Sequence, residues 1–103
     1  MKVIAVIPTY NEAENIRILI PRILGLGAPY HVLVVDDASP DGTASVVKEF
    51  MKADPRVSIL ERMAKLGLGT AYIAGFKEAL RQGADFIMEM DADHSHDYKD
   101  IPR

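Results

Sequence analysis

Asp91-Ala92-Asp93-His94-Ser95 sets two carboxylates one residue apart, directly after the apolar stretch that ends at Met90. Two such groups cannot both be desolvated cheaply unless a cation joins them. Mg2+ or Mn2+ meets that need, taking a carboxylate oxygen from the protein and the rest from water and phosphate. An ion held there neutralises the charge that develops on a departing diphosphate. A solvated acidic loop accounts for the same triplet, and the triplet alone does not choose between them. A second acidic pair, Asp36-Asp37, follows Val34-Val35. A carboxylate there accepts hydrogen bonds from a base or a ribose, or caps the next helix, which is the commoner fate. In Pro8-Thr9-Tyr10-Asn11-Glu12, Tyr10 offers a flat face for a base and Glu12 an acceptor for hydroxyls or base nitrogens. Glu12 near a helix start is equally what the helix dipole favours.

Other candidates carry less. Lys65-Leu66-Gly67-Leu68-Gly69-Thr70-Ala71 invites a phosphate-loop reading, but Gly69 is followed by Thr70 and not by the Lys-Ser/Thr of a P-loop. Tyr72 stands where a dinucleotide fingerprint needs a small residue. Lys65 reads as a solvated lysine near the sheet edge. His94 and His96 read as loop or surface histidines, and Met88 and Met90 as core. Arg56, Arg62 and Arg81 are scattered and read as solvated face, and Pro40-Asp41-Gly42 as turn chemistry.

These residues need a scaffold, and the sequence alternates strand and helix throughout. Lys2 to Ile7 is a β-branched run stopped by Pro8, predicting a buried strand. Asn11 with Glu14 has capping-box spacing and predicts a helix start. That helix carries Ile16, Leu19, Ile20 and Ile23 at helical spacing, with Pro21 expected to kink or divide it and Gly25 and Gly27 marking its end. His31 to Val35 predicts the second strand, Thr43 to Ala53 a helix capped by Thr43, and Val57 to Leu60 the third strand. Lys65 to Gly69 reads as a loop, Thr70 to Arg81 as a helix closed by Gly83, and Asp85 to Met90 as a buried fourth strand. Strands joined by helices imply right-handed crossovers and a parallel sheet in an α/β fold. The polar loops Thr9–Glu12, Asp36–Asp41 and Asp91–Ser95 all follow strands, so they share the carboxyl edge, where open α/β sheets bind ligands.

Bulk properties exclude several functions. With 49% hydrophobic and 26% charged residues in 103, this is an ordinary globular composition and one domain or part of one. A net charge of -3 gives no electrostatic case for nucleic acid as a partner. The absence of cysteine removes disulfides, thiolate catalysis and cysteine metal sites. No signal peptide is expected after Met1, and no apolar run approaches the roughly 20 residues of a membrane helix.

Four motifs, Pro-Thr-Tyr-Asn-Glu, Asp-Asp-Ala-Ser-Pro-Asp-Gly-Thr, Lys-Leu-Gly-Leu-Gly-Thr-Ala-Tyr and Met-Asp-Ala-Asp-x-Ser-His, follow one another in this order. Each is weak singly. Together they resemble the family 2 glycosyltransferases, most closely those of dolichol-phosphate (polyprenol-phosphate) mannosyltransferase type, over essentially the whole chain. The resemblance implies a GT-A fold, with a Rossmann-like nucleotide-binding half followed by an acceptor-binding half. It implies inverting, divalent-metal-dependent transfer of mannose from GDP-mannose to a polyprenol or dolichol phosphate, in the cytoplasm at the cytoplasmic face of a membrane. By similarity, Pro8, Tyr10, Glu12, Val35 (through its backbone) and Asp37 line the guanosine pocket, and Asp91 and Ala92 contact the nucleotide. Asp93 holds Mg2+ or Mn2+ beneath the diphosphate as the catalytic residue, and Ser95 adds a contact to metal or phosphate.

The sequence departs from the family pattern at His94, where a large apolar residue is usual, and at Tyr98, where proline is common. Enzymes of this type are about twice as long, so residues 1–103 are expected to be a donor-binding portion truncated at its C-terminus. Membrane contact then falls to the missing part or to a partner subunit. A polyprenol-phosphate glucosyltransferase shares these motifs, and an inactive nucleotide-binding fragment suits the short chain. Met90-Asp91-Ala92-Asp93-His94-Ser95 also resembles the Asp-x-Asp-x-Thr signature of haloacid dehalogenase-type phosphatases, with Asp91 as nucleophile. That signature normally follows the first strand, whereas here it follows the fourth.

Overall fold

Strands and helices alternate strictly through residues 1–63 and 67–92, which the computed structural model describes. They are β1 (Val3–Thr9), α1 (Ala13–Leu24), β2 (Tyr30–Asp37), α2 (Thr43–Ala53), β3 (Val57–Arg62), α3 (Leu68–Arg81) and β4 (Phe86–Glu89). The strands form one sheet in the order β3-β2-β1-β4, every pairing parallel. β1 is buried along its whole length because both faces are covered, which is why its sequence reads as continuous Val and Ile. On one face Ala5, Ile7, Val32 and Val34 meet Ile16, Ile20 and Ile23 of α1 and Val46 and Val47 of α2. On the other, Ile4, Val6, Leu33 and Val35 meet Ala71 and Ala79 of α3. α3 comes very near the sheet at Gly75, where an added Cβ would lie 2.9 Å from Val35 Cγ2 and closer still to Val6. The topology is thus an α/β sheet with helices on both sides, as the alternation implied.

Several local expectations are revised. β1 runs on through Pro8 to Thr9, and Pro8 is tolerated because the β1–β4 pairing spans only Val3 to Val6. β2 and β3 extend by two residues at their carboxyl ends, to Asp37 and Arg62, because each pairs with the other there. α1 is a single helix, with Pro21 in its last turn, where it removes one ladder bond without dividing the helix. α3 starts at Leu68 and so takes in residues expected to be loop. β4 is shorter than Asp85–Met90 and is half-exposed, since β1 alone flanks it among the described residues; Phe86 is 59% exposed. No helix among the described residues is long and apolar enough to cross a membrane.

Candidate nucleotide site at the carboxyl edge

The period-2 alternation that builds the core also sorts the polar residues at the strand ends. In β2, Val32 and Val34 face α1 and α2, so Asp36 follows them to that side, while Asp37 follows Leu33 and Val35 to the α3 side. The two adjacent aspartates therefore have different work. Asp36, buried, accepts the Thr9 hydroxyl at 2.8 Å and both the backbone N–H (3.1 Å) and the hydroxyl (2.6 Å) of Ser39. It ties the end of β1 to the loop after β2.

Asp37, also buried, pairs with Arg62, its register partner on β3. Arg62 Nε donates to Asp37 Oδ1 at 2.6 Å and a terminal nitrogen to Oδ2 at 2.7 Å, a fork-on-fork contact. The side chains are 11% and 7% exposed, so Arg62 is not the solvated arginine expected of it. The hydrogen-bonded carboxylate of Asp37 holds the Arg62 guanidinium above its usual range, against the opposing effect of burial. Arg62 further donates to the Thr70 hydroxyl at 3.1 Å and to the Gly67 carbonyl at 3.3 Å, reaching the start of α3.

Asp91 lies on the same side of the sheet. Extending the Val6–Glu89 register by two residues brings Asp91 level with Pro8, which is itself partnered with Val35. The Tyr72 hydroxyl of α3 donates to Asp91 Oδ1 at 2.8 Å. Val35 on β2, Pro8 on β1 and Asp91, two residues past the end of β4, therefore stand side by side, with Asp37 one pleat further out. Ala92 turns to the other side, into the core with Ile7 and Met90.

The loop after β1 is built by its neighbour. The expected Asn11–Glu14 capping box is not what starts α1: Asn11 has φ 57°, Glu12 is the N-cap, and its side chain makes no capping bond to a helix N–H. The N–H groups of Asn11, Glu12 and Ala13 donate instead to Ser39 Oγ (2.9 Å), Thr43 Oγ1 (3.2 Å) and Asp41 Oδ2 (3.2 Å) from the β2–α2 connection. Nor does Thr43 act as N-cap of α2. Gly42 holds that position, and Thr43 is the first helical residue, its N–H bonded to Asp41 Oδ1 at 3.0 Å. Burial alone would raise the Asp41 pKa, but hydrogen bonds from the Thr43 hydroxyl and from the Ala13 and Thr43 N–H groups outweigh it and hold the carboxyl below its ordinary 3.8. Ala38, next to Asp37, also sits at positive φ, 54°, so both site loops contain left-handed residues other than glycine.

Of the expected site residues, Pro8, Val35, Asp37 and Asp91 gather at the edge, with Tyr10 (38% exposed) and Glu12 on the adjoining loop. Glu12 accepts the Asn15 amide at 2.8 Å beside an open cavity of about 330 Å3 lined by Asn11–Asn15 and Asp41. Asp93 and Ser95, the expected metal residues, lie outside the described residues, as do Lys65, His94, His96 and Tyr98. Among the described residues no three His, Cys, Asp or Glu side chains are grouped to hold a metal. Arg62, Thr70 and Tyr72 were missed as site residues. Carrying the alternation of β3 two residues past Leu60 would have put Arg62 on the α3 side, but its partner is fixed only by the register.

The sequence matches the profile of Glycosyl transferase family 2 over residues 4–103. It is 46% identical over 103 residues to the polyprenol monophosphomannose synthase of Mycolicibacterium smegmatis, covering 99% of this chain and 39% of that protein. It is 48% identical to the undecaprenyl-phosphate mannosyltransferase of Micrococcus luteus, covering 100% of this chain and 42% of that protein. The chain thus spans about two fifths of the length of these relatives. Its fold is similar to that of mannosyltransferase PcManGT from Pyrobaculum calidifontis, solved in complex with GDP-Man and Mn2+. That match has a TM-score of 0.72 and 32% identity over 89% of this chain and 27% of that one.

Proposed function

The chain belongs to glycosyl transferase family 2, and from that premise we propose that it is the donor-binding portion of a polyprenol-phosphate mannosyltransferase. The reaction is the inverting, metal-dependent transfer of mannose from GDP-mannose to a polyprenol or dolichol phosphate. The observation that carries this reading is the placement of Asp37 and Asp91 on one side of the carboxyl edge, flanking Pro8 and Val35. Asp37 stands towards the nucleoside end with Tyr10 and Glu12, and Asp91 towards the diphosphate end. Support comes from the names of the relatives and from the GDP-Man and Mn2+ bound in the similar structure.

The donor chemistry suits a hard cation, since Asp93 and Ser95 offer oxygen and follow directly on Asp91. Asp93 and Ser95 would hold Mg2+ or Mn2+, which would supply charge neutralisation to the diphosphate leaving group. The chain's own contribution is binding and alignment. Carboxylates already held by hydrogen bonds, Asp37 buried and Asp91 half-buried, keep their orientation and need no reorganisation when the donor arrives. A phosphate monoester acceptor is already anionic near neutral pH, so no side chain need act as general base.

Acceptor contacts and further phosphate contacts fall to chain that the longer relatives have and these 103 residues do not include. Attachment at the cytoplasmic face of a membrane belongs to that chain or to a partner subunit. The phosphatase alternative needs Asp91 as a nucleophile after a first strand. Here Asp91 follows β4 and one of its oxygens is engaged by Tyr72.

Titration calorimetry of the 103-residue chain with GDP, with and without Mn2+, tests the proposal. Mn2+-dependent binding that disappears in Asp93→Ala is the expected result. Binding indifferent to metal, or none, counts against it.

A further inference from the structure

The Asp37–Arg62 pair is the most buried ion pair among the described residues, and it stands at the candidate site. A buried pair of this kind contributes little net stability, because the desolvation of two charges offsets most of their attraction. What it supplies is orientation. Arg62 donates one N–H to each Asp37 oxygen, which fixes the carboxylate plane, and a carboxylate's two oxygens have about four acceptor directions in all. Arg62 is fixed in turn by the Thr70 hydroxyl and the Gly67 carbonyl at the start of α3. Thr70 itself donates to Gly67 O at 2.9 Å, which closes the arrangement.

We propose that Arg62 is a positioning residue for nucleoside recognition: anchored on Thr70 and Gly67, it holds the Asp37 carboxylate in the orientation that accepts hydrogen bonds from the nucleoside. This rests on the assignment of Asp37 to the nucleoside end of the site. Arg62 itself does not touch the nucleotide. Its task needs a planar fork that reaches both oxygens and Thr70 together, which a lysine ammonium cannot do.

The test is a set of titrations of the whole chain in Mn2+ with GDP, UDP, ADP, CDP and inorganic pyrophosphate. They are run on wild type, Arg62→Lys, Arg62→Gln and Asp37→Asn. In Arg62→Lys the preferred nucleoside diphosphate binds about tenfold more weakly, while pyrophosphate affinity stays within about twofold. Asp37→Asn shows a comparable loss, and combining it with Arg62→Lys adds little, because both remove one interaction. Arg56→Lys is the control. Arg56 bonds the Leu24, Gly27 and Tyr30 carbonyls at the opposite edge, so its loss alters melting without changing nucleotide preference.

Circular dichroism identifies any variant that fails to fold, and the milder Arg62→Lys keeps the question answerable if Arg62→Gln does. Unchanged nucleotide affinity in a folded Arg62→Lys overturns the inference and leaves the GDP assignment standing. So does a parallel fall in pyrophosphate affinity. A wild type that prefers another nucleoside diphosphate, with the selective loss in Arg62→Lys intact, overturns GDP and sustains Arg62. A wild type that binds none of the ligands overturns both.

Discussion

Tyr72 shows how much of this site is made by single hydroxyl and guanidinium contacts. Its O–H donates to Asp91 at 2.8 Å from a helix on the same side of the sheet as Arg62 and Asp37. Removing it takes one hydrogen bond from a carboxylate without opening a large cavity. Tyr72→Phe is expected to weaken Mn2+–pyrophosphate binding about fivefold, roughly 1 kcal/mol, with little change in melting temperature. Titration of the variant against wild type checks this. The acids themselves were legible in the sequence, because carboxylates at apolar strand ends are conspicuous. Their partners were not. Arg62 lies 25 residues from Asp37, and Tyr72 lies 19 residues from Asp91. Only the strand register and the seating of α3 bring these pairs together.

The elements were mostly readable, since apolar periodicity dictates them, and α2 has the bounds its pattern implied. The failures lie where tertiary contacts override a local signal. Asn11 and Glu14 have capping-box spacing, yet Ser39, Asp41 and Thr43 from the next connection take over the start of α1. β4 reads as buried because Phe86, Ile87 and Met88 run together and Met90 follows, but as the edge of the described sheet it is half-open. The α1 cap carries a pH dependence. Asp41 has a depressed pKa in the folded chain, so it contributes stability above its ordinary 3.8, and this is lost as pH falls through the folded value. Asp41→Asn is expected to cost about 1 kcal/mol at pH 7, at the modest end for a largely exposed group. The gap to wild type narrows at pH 3. Urea unfolding at the two pH values measures it.

Across the whole molecule, a doubly covered parallel sheet leaves one edge rich in loops, and the sequence disclosed that edge through its alternation of strand and helix. α1 and α2 on one side and α3 on the other make a rigid base, and the left-handed residues Asn11 and Ala38 sit in its loops. The opposite edge has a different character. There Arg56 ties together Leu24, Gly27 and Tyr30, and its hydrogen bonds hold the Asp54 carboxyl below its ordinary value. That edge is architecture, while the carboxyl edge carries the oriented carboxylates of the proposed ligand site. The contrast between the edges makes the central assignment open to one direct measurement. Mn2+ is paramagnetic, so in the presence of GDP it broadens the amide resonances nearest to it. Nuclear magnetic resonance of the labelled chain should show broadening centred on residues 91–95, with GDP-induced shifts in 8–12 and 35–41 and none around Gly27, Arg56 and Gly83. Broadening centred on the amino edge, or spread evenly over the surface, would contradict a metal-assisted nucleotide-sugar site.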